Sequence, residues 1–207
     1  MTGGARPAVD AALFDLGKVL LDWDPRYYYR RFFDDAQALE RFVAEVIASD
    51  WILEMDAGKP AREAIAERQA RFPEHAALIA RWSEGWPLML KGEIAGTAAI
   101  VGELAARGTR LFALTNFSAE TFPHARKRIP SLAHFADIVM SAEVGVVKPD
   151  PRIYAIAIER CGLDPARTVF VDDVPVNVEA GRAAGFVALH FTSAERLRAD
   201  LAPLGLP

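Results

Sequence analysis

Cysteine is nearly absent from this chain: Cys161 is the single one among 207 residues. That excludes an internal disulfide framework and fits a reducing, cytoplasmic setting. Cys161 neighbours Gly162 at an expected helix end, so it reads as a small packed residue rather than a reactive thiol. Basic blocks are also missing. Lys and Arg number 24 against 28 Asp and Glu, for a net charge of −4. A nucleic-acid partner, which needs a basic stripe or patch, is therefore not expected. No apolar run approaches the roughly 20 residues that span a bilayer, so no membrane association is expected either. The opening stretch MTGGARPAVD has no long apolar region behind its arginine, unlike a secretory signal. There is no internal repeat and no low-complexity tract. What is present is a globular composition, 52% hydrophobic, 25% charged and 10% aromatic. The length suffices for one domain with a sizeable core, or for one domain carrying a smaller insertion.

Five short apolar runs predict strands: Ala11 to Phe14, Arg110 to Leu114, Ile138 to Met140, Thr168 to Val171 and Phe186 to His190. Helical patterns separate the last four, at Ser118 to Ile129, Pro151 to Cys161 and Val176 to Ala184, and another runs from Glu93 to Arg107. Glycines 108, 162 and 185 each follow such a pattern, where a helix C-cap belongs. This alternation predicts an α/β fold, a doubly wound parallel sheet with helices on both faces.

Residues 22 to 90 differ. They contain no convincing strand and predict three or four helices, over Pro25 to Ser49, Pro60 to Arg71 and Glu74 to about Leu90, with breaks near Gly58 and Pro73. All four tryptophans (Trp23, Trp51, Trp82, Trp86) fall here, with Tyr27, Tyr28 and Tyr29. About 70 residues is too long for a plain connection. The expectation is a catalytic core of 1–21 plus 91–207 and a small helical-bundle cap of 22–90. Most of the aromatics would form the cap's interior and its seam with the core, and one or two would line a pocket.

In open parallel sheets, ligands bind beyond the carboxyl ends of the strands. Asp15 follows the first strand, Thr115 and Asn116 the second, Lys148 the third, and Asp172 and Asp173 the fourth. Taken singly, each is an ordinary cap or turn residue. Together, in this order and at one end of one sheet, they describe a site for a cation and an anion. Clustered carboxylates repel unless a cation neutralises them, and Mg²⁺ suits oxygen ligands. The metal and Lys148 would hold a phosphate dianion, and Thr115 and Asn116 would donate to its oxygens. Asp15 is left as the nucleophile. Gly17 is expected to let the backbone turn sharply and aim its carbonyl at the metal.

These segments resemble a known family. FDLGKVL, LTNFS, VVKPDPRIY and VFVDDVPVNVEAGRAAG look like the four motifs of the haloacid dehalogenase-like hydrolases, over essentially the whole chain. The resemblance implies a Rossmann-like core, an aspartyl nucleophile at Asp15 and Mg²⁺-dependent phosphatase activity. It also implies phosphoryl binding by Thr115, Asn116 and Lys148, and metal binding by Asp15, Gly17 and Asp173, with Asp172 and Asn177 in support. The Asp-Asp pair followed by Asn177 looks like the sugar-phosphate phosphatases and the phosphatase domain of epoxide hydrolases. Asp-Leu-Gly, with the Glu-Met-Asp-Ala-Gly stretch and Glu84-Gly85-Trp86, looks like the α-glucose-1-phosphate phosphatase branch. Sugar phosphates are thus the first expected substrates, and a monomer and a homodimer are both compatible.

One departure stands out. The family's phosphatases commonly carry a second Asp two residues after the nucleophile, which protonates the leaving oxygen; this chain has Gly17. A good leaving group would reduce the need, or Asp22, Asp24 or Lys18 would substitute. Two alternatives follow. One is a 2-haloacid dehalogenase, whose halide needs no proton but whose substrate two unneutralised carboxylates would repel. The other is a catalytically weak member that binds a phosphorylated ligand or a protein. The remaining polar residues carry less. His75, His124, His134 and His190 lack ligand-like spacing, and Arg126-Lys127-Arg128 reads as a solvated helix face. Arg26, Arg30 and Arg31 would either meet an anionic part of a substrate or pair with Asp34 and Asp35, and the pairing is expected.

Overall fold

The structure is a computed structural model that describes residues 9–207. Most of the N-terminal stretch considered above, residues 1–8, lies outside the described residues.

Alternation decides the sheet. In β1 (Ala11–Phe14), Ala11 and Leu13 join one hydrophobic cluster, and Ala12 and Phe14 join the other. Successive strand residues point to opposite faces, so a strand apolar at every position must be covered on both. β4 (Arg110–Thr115), β5 (Asp137–Met140), β6 (Thr168–Asp172) and β7 (Val187–His190) complete a parallel sheet in the order β5-β4-β1-β6-β7. These five strands agree with the expected runs to within a residue at each end. Helices Ala95–Ala106, Pro151–Cys161, Pro175–Ala183 and Ala194–Leu201 flank them; the last was not anticipated. Because β1 lies between β4 and β6, connections leave its two sides in opposite senses. That leaves a crevice at the carboxyl ends, the place such sheets use for ligands.

Two short strands differ from expectation. β2 (Leu21–Trp23) and β3 (Leu90–Glu93) pair antiparallel at the two ends of the helical stretch. LDW is too short for its alternation to register and LKGE has a single large apolar residue, so only the pairing reveals them. The helices between them are also shorter than expected. Pro25 to Ser49 divides into pieces at Arg26–Tyr29, Arg30–Phe32, Ala36–Arg41 and Phe42–Val46. A helix at Ser49–Asp56, absent from the sequence reading, precedes Ala61–Arg71. Glu74 to Leu90 becomes four short turns, the last two Trp82–Gly85 and Trp86–Met89. Ser118 to Ile129 keeps only Phe122–Arg126, which starts at a proline-bearing first turn and ends ahead of Pro130.

Aromatic packing holds the insertion together and joins it to one sheet face. Trp51 and Trp82 meet edge to face at 4.9 Å, and the Trp51 indole N–H donates to the Ala64 carbonyl at 2.9 Å. The Tyr28 ring lies against Gly85, where an added Cβ would approach it to 2.3 Å. Trp51, Trp82, Phe14 and Val169 belong to one continuous cluster. Among the described residues, no helix is long and apolar enough to cross a membrane.

Candidate active site

The four strand ends deliver their side chains to one place. Asp15 follows β1, Thr115 ends β4 and Asp172 ends β6. Carboxylate oxygens of Asp15, Asp172 and Asp173 lie within 4.8 Å of one another. Lys148 reaches them from the loop after β5: its Nζ is 3.0 Å from Asp15 Oδ1 and 2.6 Å from Asp172 Oδ2. Lys148 is 2% exposed and Asp172 0%, so the pairing occurs out of water, where an uncompensated charge is costly. Burial would lower the ammonium's pKa, but Asp15 and Asp172 outweigh it and hold Lys148 above the usual value. Burial pushes Asp15 up to about 7 against the pull of Lys148, with Asp172 and Asp173 adding to the rise. Asp173 is raised too, again chiefly by burial and then by Asp172.

Each group is held by its neighbours. The Leu16 N–H donates to Asp15 Oδ1 at 2.7 Å. Both side-chain ends of Asn116 grip the Lys148 backbone: Nδ2 donates to its carbonyl at 3.0 Å and Oδ1 accepts its N–H at 2.8 Å. Asp172 Oδ1 accepts from the Val174 N–H at 2.8 Å and from Asn177 Nδ2 at 3.1 Å, so with Lys148 both its oxygens are engaged. Asp15 and Asp173 are consequently the carboxylates best placed to ligate a metal, and an all-oxygen donor set fits Mg²⁺. Thr115 is 1% exposed and its hydroxyl is without a partner among the described residues, as a group awaiting an acceptor would be. The exposed His190 reaches the Asp173 backbone carbonyl through Nε2 at 3.0 Å.

Gly17 requires a correction. The residue in the left-handed region is Lys18, at φ +57°, and not Gly17. A Cβ on Gly17 would meet nothing within 4 Å, so neither the turn nor crowding demands glycine there. The turn is closed instead by Leu20 and Leu21 N–H bonds to the Leu16 carbonyl, and by Lys18 N–H to the Leu21 carbonyl. Asp22 and Asp24 are occupied elsewhere. Asp22 accepts from the Tyr27 hydroxyl at 2.7 Å, and Asp24 caps the Arg26 N–H at 2.8 Å. Arg26 pairs with Asp24 and Glu40, and Arg31 Nε bonds the Tyr28 carbonyl, so the expected partners Asp34 and Asp35 serve neither.

A cavity of about 200 Å³ opens above the carboxylates. Asp15, Gly17, Lys18, Asn116 and Asp173 form its polar floor. Its wall is apolar, made largely by Trp23, Ile52, Met55, Trp82, Trp86 and Phe117. One further carboxylate, Asp56, enters from the helical insertion. The sequence reading passed over Asp56 as part of a stretch of family resemblance. It closes the helix Ser49–Asp56, which the sequence pattern did not reveal, and only the break expected near Gly58 marked the place.

A family model described as haloacid dehalogenase-like hydrolase matches residues 9–185. The chain belongs to that family. A sesquiterpene phosphatase of Aspergillus oryzae is 29% identical over 186 residues, covering 88% of this chain and 89% of the relative. A magnesium complex of a family enzyme from Bacteroides thetaiotaomicron superposes with a TM-score of 0.70 at 18% identity, covering 90% of this chain and 94% of that one. An L-2-haloacid dehalogenase superposes with a TM-score of 0.64 at 20% identity, covering 89% and 85%. At such identities the two structures bear on the fold alone. This haloacid dehalogenase-like protein is therefore a hydrolase.

Proposed function

We propose that this hydrolase cleaves small organic phosphate monoesters through an aspartyl-phosphate on Asp15. The observation that carries the reading is the buried cluster of Asp15, Asp172 and Asp173 around Lys148, beneath a cavity. Three carboxylates against one ammonium leave surplus negative charge, which a divalent cation would balance, and that cation and Lys148 would then face the oxygens of an incoming phosphoryl group. Asp15 and Asp173, with the Gly17 carbonyl, would hold Mg²⁺, which supplies Lewis-acid polarisation of a phosphoryl oxygen. Lys148 neutralises the phosphoryl charge. The Thr115 hydroxyl and the second N–H of Asn116 Nδ2, whose first holds the Lys148 carbonyl, bind its oxygens. Asp15 attacks phosphorus, the ester bond breaks, and water then releases inorganic phosphate and restores the carboxylate. The helical insertion acts as a cap that excludes water from the cavity.

The cavity wall bears on the substrate. An apolar, aromatic wall favours a leaving group with an apolar body over a polyhydroxylated sugar, whose hydroxyls it would leave unpaired. The volume, below the roughly 300–1,000 Å³ of sites for larger ligands, favours a compact one. The fungal relative, named for acting on a sesquiterpene, is in keeping with an apolar substrate. Halide displacement is disfavoured, since without a cation the carboxylates would repel a haloacid.

The test is a panel of aryl, alkyl and sugar phosphates with Mg²⁺ and with EDTA, using Asp15→Asn as control. Turnover that needs both Mg²⁺ and Asp15 supports the reading, and aryl and alkyl esters should lead. Turnover that survives Asp15→Asn, or halide release from 2-chloropropionate without phosphatase activity, would overturn it.

A further inference from the structure

Gly17 leaves the reaction without an acid beside the nucleophile, and the cavity supplies another carboxyl from a different element. Asp56 is the last residue of the helix Ser49–Asp56 and lines the same cavity as Asp15 and Asp173. Its place is fixed from two sides. Within the insertion, Ala57 N–H bonds the Leu53 carbonyl at 2.9 Å, Gly58 N–H the Met55 carbonyl at 3.0 Å and Lys59 N–H the Glu54 carbonyl at 3.0 Å, which reverses the chain just past it. Toward the core, the Asp56 carbonyl accepts from Ser141 Oγ at 2.5 Å, and the same Oγ accepts the Phe117 N–H at 2.9 Å. Ser141 directly follows β5 and Phe117 lies two residues past the end of β4. Asp56 is thus tied to the strand ends that carry the site rather than to a loose connection.

Its surroundings suit a proton carrier. Burial first, and then the charge of Asp15, push the Asp56 carboxyl up to about 7; the Ser118 amide and Lys148 oppose them. Lys148 is itself bonded to Asp15 and Asp172. A carboxyl near neutrality holds a proton to give and accepts one back, which is what acid–base catalysis asks of it.

We propose that Asp56, carried by the helical insertion, is the general acid and base of this site, in place of a side chain at position 17. The assignment rests on the phosphatase reading above. In the first half-reaction Asp15 attacks phosphorus. The phosphorus–oxygen bond to the leaving group breaks with both electrons moving to that oxygen. Asp56 gives it a proton, and the alcohol departs. In the second, Asp56 as carboxylate takes a proton from water while the water oxygen bonds to phosphorus. The Asp15–phosphorus bond breaks, Asp15 regains its carboxylate, inorganic phosphate leaves and Asp56 is again protonated. The insertion then does more than cover the site: docking it completes the catalytic set.

The test is the dependence of kcat/KM on the leaving group. A nitrophenolate leaves without a proton and an alkoxide does not. In Asp56→Asn, kcat/KM for an alkyl phosphate such as phenethyl phosphate is expected to fall about 10²–10⁴-fold. For p-nitrophenyl phosphate it should change less than about threefold, with a burst of nitrophenolate because water is no longer activated. Asp56→Glu keeps an acid and should retain the wild-type ratio between the two esters, even at a lower rate. An equal loss on both esters in Asp56→Asn, an undiminished rate on the alkyl ester, or a shifted ratio in Asp56→Glu would overturn the assignment. Wild-type protein that hydrolyses neither ester would instead remove the phosphatase reading, and the assignment with it.

Discussion

Two glycines inside helices allow packing to be separated from helix propensity. Gly102 lies in Ala95–Ala106, and an added Cβ there meets nothing within 4 Å. Gly181 lies in Pro175–Ala183, and its Cβ would come within 2.4 Å of Phe170 Cδ1 and 2.9 Å of Cε1. Ordinary carbon contacts are about 3.5–4.0 Å, so Phe170 must retreat by about 1 Å. It has no room: it is fully buried, edge to face with Tyr154 at 5.6 Å and against Phe186 at 6.0 Å. Alanine is favoured over glycine in a helix by about 1 kcal/mol, and both substitutions carry this gain. Overpacking opposes it at 181 alone, by about 1–3 kcal/mol. Gly102→Ala should therefore stabilise by about 0.4–1 kcal/mol. Gly181→Ala should range from neutral to about 2 kcal/mol worse. For a chain of this size 1 kcal/mol moves Tm by about 2–4 °C. Calorimetry in EDTA should thus place the two variants about 2–12 °C apart, with Gly102→Ala higher. The displaced helix also carries Asn177, which bonds Asp172 at 3.1 Å, so only Gly181→Ala should lower kcat. Equal melting temperatures would refute the argument that Phe170 cannot yield.

Other expectations follow from the site. Asn116→Ala removes both bonds to the Lys148 backbone; kcat should fall at least tenfold, with Tm lowered by a few degrees, since a misplaced ammonium weakens transition-state binding. Gly17→Ala should melt at or slightly above the wild type, because its Cβ has space and the left-handed residue is Lys18; a loss of several degrees would restore the glycine-dependent turn. Burial pushes the Cys161 thiol up to about 11 from an ordinary 9.0, so its thiolate fraction at pH 8 is about a hundredfold below that of an ordinary thiol. Iodoacetamide should label native protein correspondingly slowly and urea-unfolded protein readily. Removing divalent metal with EDTA should abolish turnover and lower Tm, and restoring Mg²⁺ should reverse both as a ligand of the folded state does.

The residues that build the core could be read because their signals are local. β1, β4 and β6 are runs of apolar residues long enough to be recognised without their partners, and Asp15, Thr115 and Asp172 mark their ends. The insertion was legible only as a region. Its helices are short and held by contacts such as Trp51 on Trp82 and Tyr28 on Gly85, so their limits follow from packing rather than propensity. β2 and β3 exist because they pair with each other. Glycine at 17 suggested a tight turn, but the turn's strain rests on Lys18, a conformational fact that residue type does not reveal.

The sequence by itself determined the family, the parallel α/β core and the identity of the groups at the strand ends, since each is written in a contiguous segment. Only the tertiary structure decided how those groups are shared. It set Asn116 on the Lys148 backbone, engaged both oxygens of Asp172, turned Asp22 and Asp24 away from the cavity, and brought Asp56 from the insertion to within the field of Asp15. The physical reason is that a carboxylate's role depends on its burial and its partners, and these are arranged by segments far apart in the chain.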